Sequence, residues 1–251
     1  MSDSKITTTI VVPCYNEAAR LDGPAFRAFV EQNTGIRFLF VNDGSNDDTL
    51  TVITALAESH PALDAHSMPQ NSGKAEAVRA GLLTAIEAGA QWVGYFDADL
   101  ATPLAAISQL RGVFDERPQM DIVMAARVKL LGRRIARNPA RHYAGRAFAT
   151  CASLLLDLPV YDTQCGAKVL RVNEALERAL ADRFESGWIF DVELLRRLQL
   201  VRAEIGMSDL ADCTYEYALD EWEDIAGSKV KLSDFPVAFF RLGQILARYG
   251  R

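Results

Sequence analysis

The chain has 251 residues, enough to bury a sizeable core, and its hydrophobic and charged fractions of 49% and 24% are ordinary for a globular protein. A formal net charge of −6 argues against general nucleic-acid binding, so no nucleic-acid partner is expected. Cys14, Cys151, Cys165 and Cys213 form no C-x-x-C pair and His60, His66 and His142 show no ligand spacing, which removes zinc ribbons and dithiol redox chemistry and suits a reduced, cytoplasmic compartment.

The first nine residues are polar and short, without the apolar region of a signal peptide. No stretch approaches the ~20 apolar residues of a membrane-spanning helix. Residues 8–12 are β-branched and stop at Pro13, as a buried strand does before a loop. A helix is predicted over about 23–32, with Pro24 near its first position. A strand follows at 38–41, then a helix capped within 45–48 and reaching about 59. A weaker strand covers 63–68, a helix 75–88, a strand 92–96, a helix 103–117 and a strand 121–126. The second half is less regular, with helices predicted over 141–156, 173–181, 191–200 and 232–249.

Strands alternating with helices of this length predict an α/β, doubly wound, mainly parallel sheet in one domain, 1–251. Ligands of such sheets sit beyond the carboxyl ends of the strands. The polar clusters fall at those ends: Tyr15-Asn16-Glu17, Asn42-Asp43-Gly44-Ser45 and Asp97-Ala98-Asp99. In Asp97-Ala98-Asp99, two carboxylates at a strand end where the chain turns can face one cavity, and they suit a hard divalent cation that in turn suits a diphosphate. Asp43 can accept an N–H from a nucleobase, or serve as an Asx-turn capping the next helix. Glu17 can bond ribose hydroxyls and Pro13 offers a flat apolar edge. Asn71-Ser72-Gly73-Lys74 opens a helix, where free amides favour an anion. No two glycines are spaced i, i+2, so the dinucleotide fingerprint is missing, and Met68 stands where a P-loop needs glycine.

Taken in order, Val11-Val12-Pro13-Cys14-Tyr15-Asn16-Glu17, Asn42-Asp43-Gly44-Ser45, Asn71-Ser72-Gly73-Lys74 and Asp97-Ala98-Asp99 resemble the motifs of family-2 glycosyltransferases with the GT-A fold. Asp162-Thr163-Gln164-Cys165-Gly166-Ala167-Lys168, Trp188-Ile189-Phe190-Asp191-Val192-Glu193 and Gly227-Ser228-Lys229 resemble the polyprenyl-phosphate sugar synthases, nearest the dolichyl-phosphate β-glucosyltransferase branch. The resemblance implies a nucleotide-binding half, about 1–126, and an acceptor-side half, about 127–251. It implies that Pro13, Tyr15 and Glu17 line the base and ribose pocket, with Asp43 reading the base. Asp97 and Asp99 would hold Mg²⁺ or Mn²⁺ against the diphosphate, and Lys74, Gln164 and Lys229 would lie near the donor. Asp191 would sit at the reacting centre. Donors of the UDP-glucose or GDP-mannose type and inversion at the anomeric carbon are implied too.

Between 127 and 146 the chain carries Arg127, Lys129, Arg133, Arg134, Arg137, Arg141 and Arg146 and no acidic residue, a local reversal of the overall charge. Such a patch suits a phosphate acceptor or an anionic membrane surface, and is otherwise a solvated basic face. By family position Arg127 and Arg141 would contact the acceptor phosphate, and the other cations are left to the membrane surface. A phosphate monoester is largely dianionic at neutral pH and needs no general base. A hydroxyl acceptor needs one, and Asp191 is then the candidate. Two acceptor classes are therefore carried forward: a polyprenyl phosphate, with peripheral contact at the inner face of the membrane, and a soluble hydroxyl acceptor. In the last helix Phe235, Phe239, Leu242 and Leu246 form an apolar stripe expected to pack on the core. The acidic run 220–224 departs from the family pattern and calls for neutralisation by arginines or a metal.

Overall fold

The computed structural model describes residues 7–225 and 234–250. Its first half alternates as the sequence predicts: β1 (Thr8–Cys14), α1 (Gly23–Gln32), β2 (Ile36–Asn42), α2 (Thr49–Glu58), β3 (Leu63–Ser67), α3 (Lys74–Glu87), β4 (Trp92–Phe96), α4 (Ala105–Glu116) and β5 (Ile122–Ala126). Then come β6 (Arg134–Ala136), α5 (Pro139–Leu156), β7 (Ala167–Arg171), α6 (Glu174–Ala179) and a 3-10 turn (Gly187–Ile189). The chain continues through α7 (Phe190–Ile205), β8 (Thr214–Ala218), β9 (Glu221–Glu223) and α8 (Phe235–Tyr249).

The central sheet has the order β3-β2-β1-β4-β7-β5-β8, and β6 pairs with β9 apart from it. Strand residues sort by parity into two cores. Val11, Leu39, Val41, Val93 and Tyr95 pack under α3 and α7, while Ile10, Val12, Phe38, Phe40 and Phe96 pack under α1 and α4. That period of two, with helices covering both faces, explains why these strands are nearly continuous apolar runs. The sheet departs from pure parallel pairing at β7, which runs antiparallel to both β4 and β5. Strand order turns outward in opposite directions from β1 and β4, so the crevice between their carboxyl ends is the expected ligand site.

The final helix bears out half of the expected stripe: Leu242 is buried and Phe235 packs against the core, while Phe239 and Leu246 do not follow. Ala238, Leu242 and Ile245 are its buried face, whereas Phe239, Phe240, Leu246 and Val237 are exposed. The buried face rests on α5 and α7, with the Phe235 ring against Trp188 and the Phe239 ring against Phe148. No helix among the described residues is long and apolar enough to cross a membrane.

Candidate active site

At the carboxyl ends of β1 and β2 the loops are laced together. Thr49 Oγ1 accepts the amides of Glu17 (2.8 Å) and Ala18 (3.0 Å), and the Asn16 side chain accepts the Asn46 amide at 2.9 Å. Pro13 pairs with Val41 in the sheet and Tyr15 is half-buried beyond it. Glu17 is buried and bound by the Arg20 guanidinium through both carboxylate oxygens. Asp43 takes neither of the roles weighed from sequence as its visible one. Its two oxygens accept the amides of Ser72 (2.7 Å) and Gly73 (2.9 Å), fastening the loop that opens α3. The loop after β2 is braced by Asn42, whose side chain accepts the Ser45 amide three residues on. A carboxylate oxygen can accept more than one hydrogen bond, so Asp43 keeps capacity for a ligand N–H.

Asp97 and Asp99 leave the end of β4 into one cleft of about 200 Å³. Leu100, a non-glycine at φ 56°, turns the chain directly after them. Lys74, the first residue of α3, reaches Asp97 at 2.5 Å. Burial disfavours the Lys74 ammonium, but Asp97, then Asp191 and Asp99, outweigh it and hold its pKa above the ordinary value. Burial, followed by the negative charge of Asp97, pushes the Asp99 carboxyl upward. Two carboxylates facing one polar cleft form a hard, all-oxygen donor pair, which fits Mg²⁺ or Mn²⁺. Among the described residues no group of three or more His, Cys, Asp or Glu forms a metal cage. A cation here would therefore draw its remaining oxygens from substrate and water. Gly166 leaves room for the pair: a Cβ there would overlap the Asp97 carboxylate.

Asp191 stands in the first turn of α7 and is 5% exposed. Its Oδ1 accepts from the Tyr95 hydroxyl and from Lys168 Nζ at 2.5 Å. Burial, then the Asp191 charge, drives the Tyr95 phenol well above its usual value, so it stays a donor. Gln164 lines the same cleft from the 162–166 loop.

A guanidinium wall faces these acids. Arg127 binds Asp162 through two hydrogen bonds, at 2.7 and 2.8 Å, with both groups buried. Burial raises the Asp162 carboxyl, but the Arg127 charge and hydrogen bonds outweigh it and leave it well below the carboxylate range. Arg146 lies 3.6 Å from the Tyr161 ring centroid and donates to the Tyr161 carbonyl. Arg137 enters the cleft beside the Trp222 ring. Burial and then the Arg127 charge pull Arg137 below its ordinary value, and no carboxylate among the described residues pairs with it.

The assignment of all remaining cations to a membrane surface is thereby corrected. Arg137 and Arg146 line the cleft, and Arg133 and Arg134 pair with Asp220 and Glu221, because β6 and β9 lie side by side. This pairing neutralises two of the four acids in the run 220–224, Asp220 and Glu221. Of the residues expected at the site, Lys74, Asp97, Asp99, Arg127, Gln164 and Asp191 line one cleft. Pro13, Tyr15, Glu17 and Asp43 lie on the adjoining rim, linked to it through Arg20, which feels the Asp97 and Asp99 charges, and through the Gly73–Lys74 turn. The Arg141 side chain and Lys229 lie outside the described residues. Tyr95, Lys168, Arg137 and Trp222 were not anticipated; a lone lysine inside the apolar run after Cys165-Gly166 was the one available signal.

The sequence profile described as glycosyl transferase family 2 matches residues 9–176. Dolichyl-phosphate beta-glucosyltransferase ALG5C of Trichomonas vaginalis is 30% identical over 244 residues, covering 92% of this chain and 68% of the relative. The dolichyl-phosphate beta-glucosyltransferase of Saccharomyces cerevisiae is 26% identical over 251 residues, covering 92% and 71%. Among solved structures, glucosyl-3-phosphoglycerate synthase from Mycobacterium tuberculosis, in complex with Mn²⁺, UDP and glucosyl-3-phosphoglycerate, has a TM-score of 0.67 at 19% identity. That superposition covers 97% of this chain and 80% of the other, and is a likeness of fold.

Proposed function

Because the chain belongs to glycosyl transferase family 2, we propose that it moves a glucosyl group from UDP-glucose to the phosphate of a polyprenyl phosphate. It is a glycosyltransferase of GT-A fold, similar to the dolichyl-phosphate glucosyltransferases. One observation carries the reading: a single cleft has an acidic wall, Asp97 and Asp99 with Lys74, opposite a guanidinium wall, Arg127, Arg137 and Arg146. The acidic wall suits a donor diphosphate held through a cation, and the guanidinium wall suits an anionic acceptor.

In this reading Pro13, Tyr15, Glu17 and Asp43 take the nucleoside, Lys74 and Gln164 lie near the sugar diphosphate, and Lys229 is assigned to the donor by its motif alone. Asp97 and Asp99 would hold Mg²⁺ or Mn²⁺, which would neutralise charge on the leaving diphosphate. Arg127, fixed by Asp162, and Arg137, which pairs with no carboxylate among the described residues, receive the acceptor phosphate, and Arg141 is assigned to it by family position alone. The dianionic phosphate oxygen attacks the anomeric carbon opposite the diphosphate. The carbon–oxygen bond to the diphosphate breaks, its electron pair leaves on the β-phosphate oxygen, and configuration inverts. No proton has to be removed, so the protein's work is positioning and charge stabilisation. Asp191 would act as base only for a hydroxyl acceptor; its Oδ2, which accepts no hydrogen bond among the described residues, keeps that second reading in play.

Contact with a bilayer fits the same reading. Val237, Phe239, Phe240 and Leu246 on α8 and Leu154 on α5 are exposed apolar side chains, which would rest on the inner face of the membrane. Flotation with anionic vesicles tests this, and unchanged binding after F240E would count against it.

The deciding experiment supplies Mg²⁺ or Mn²⁺, a panel of nucleotide sugars, and dolichyl or undecaprenyl phosphate beside soluble phosphates and alcohols. An acid-labile, organic-extractable glucose product from UDP-glucose, abolished by chelation, is expected. A product formed only on alcohols would overturn the phosphate-acceptor reading in favour of Asp191 as base.

A further inference from the structure

Lys168 is a charged side chain in the middle of a sheet, 2% exposed. It lies on β7, directly across from Tyr95 of β4 in the register. Cross-strand partners project from the same face, so both side chains rise toward α7. There they converge on one atom, Asp191 Oδ1. Lys168 Nζ also donates to the carbonyls of Thr163 (2.9 Å) and Cys165 (2.8 Å). An ammonium has three N–H donors, and all three are used.

Stability alone is a poor reason for this arrangement. Buried ion pairs contribute little net stability, and apolar replacements of similar volume are often neutral or better. The partners, however, are the functional parts of the cleft. Asp191 lines it, and the turn from Thr163 to Cys165 carries Gln164 and follows Asp162, which holds Arg127. One lysine therefore ties the carboxylate of α7 to the loop that bears a donor-side amide and the anchor of an acceptor-side guanidinium. Loosening it would let these groups move independently by the fraction of an ångström that transfer reactions do not tolerate.

We infer that Lys168 is a positioning residue for group transfer, acting through Asp191 and the 162–166 loop rather than by touching substrate. The inference rests on the reading of the cleft as the transfer site, and the experiment separates the two. K168M, D191N and K168M/D191N are compared with wild type for kcat, donor KM, UDP binding by calorimetry and thermal melting. The double variant removes both charges and should melt within a few degrees of wild type. K168M should lower kcat about 100-fold or more while donor KM and UDP affinity move less than about threefold. Added to D191N, the same change should cost less than about threefold, because the ion pair that ties α7 to the 162–166 loop is already broken.

K168M turning over within threefold of wild type would overturn the inference. So would a loss of equal size in the wild-type and D191N backgrounds, which would leave Lys168 a purely structural residue. If K168M alone does not fold, the comparison of D191N with K168M/D191N still decides: equal turnover supports the inference and a further hundredfold loss sinks it. Absence of transfer by the wild-type protein with every donor and acceptor would instead strike the functional reading itself.

Discussion

Substitution of Gly166 by alanine should disable the cleft while sparing the fold. A Cβ at this position would lie 2.7 Å from Asp97 Oδ1 and nearer still to the other two carboxylate atoms. Ordinary van der Waals contact begins at 3.4 Å, so the carboxylate must retreat by about 1.4 Å at its nearest oxygen, beyond the scale at which misplaced catalytic groups cost ~10²-fold. Gly166 does not occupy the left-handed region, so alanine adds no backbone strain. The clashing atoms end a flexible side chain, and the change in stability should stay within about 1 kcal/mol. For the reaction the same retreat separates Asp97 from Lys74, from Asp99 and from any shared cation. We expect kcat/KM for UDP-glucose to fall about 100-fold, equivalent to about 2.7 kcal/mol of lost transition-state stabilisation, with the melting temperature nearly unchanged. The contrasting variant is G94A, whose Cβ would strike the Lys168 backbone carbonyl; it should lose the fold together with the activity. Wild-type kcat/KM in a folded G166A protein, at limiting Mg²⁺, would refute the role given to Asp97.

R137A should raise acceptor KM by ~10–100-fold at unchanged donor KM, the weight of a hydrogen bond to a charged group; steady-state kinetics with varied prenyl phosphate would show it. Asp162 has a folded-state pKa below its unfolded value, so the unfolded chain binds the extra proton in acid, and the stability its pairing contributes is present above about pH 4 and lost as pH falls through lower values. The melting gap between wild type and D162N should therefore stay constant from about pH 8 to 5 and shrink only below about pH 4; closure of the gap between about pH 7 and 5 would contradict the assignment. G112A lies inside α4 with nothing within 4 Å of its new Cβ, and should raise stability by about 0.5–1 kcal/mol without changing turnover.

The acidic wall of the cleft was legible because its signals are local. The β-branched run of Ile10, Val11 and Val12 marks a buried strand and stops at Pro13, and the acids of Asp97-Ala98-Asp99 follow an apolar strand without a gap. The guanidinium wall was less so, since its logic is tertiary. β7 reads poorly as a strand because Lys168 interrupts the apolar pattern, and only the fold reveals that Asp191 and two carbonyls await its ammonium. Arg137 is one of several like charges in a basic run, and nothing in the spacing separates it from Arg133 or Arg134. What distinguishes them is the pairing of β6 with β9, which hands Asp220 and Glu221 to two of the arginines and leaves the third beside Trp222. The stripe of α8 was half legible for the same reason: periodicity gave an apolar face, but only tertiary packing shows that Ala238 and Ile245 join Leu242 in the core while Leu246 stays outside.

The antiparallel course of β7 limits how this enzyme can be rearranged. β4 and β5 do not pair with each other; the strand between them arrives from beyond residue 166. A chimera cut near residue 126, meant to graft a new acceptor specificity onto the existing nucleotide pocket, would remove the central plank of the sheet along with the loop it carries. Exchange of acceptor preference must instead proceed by replacing the segments that overhang the cleft, β6 with the start of α5 and β9, while β7 stays where it is.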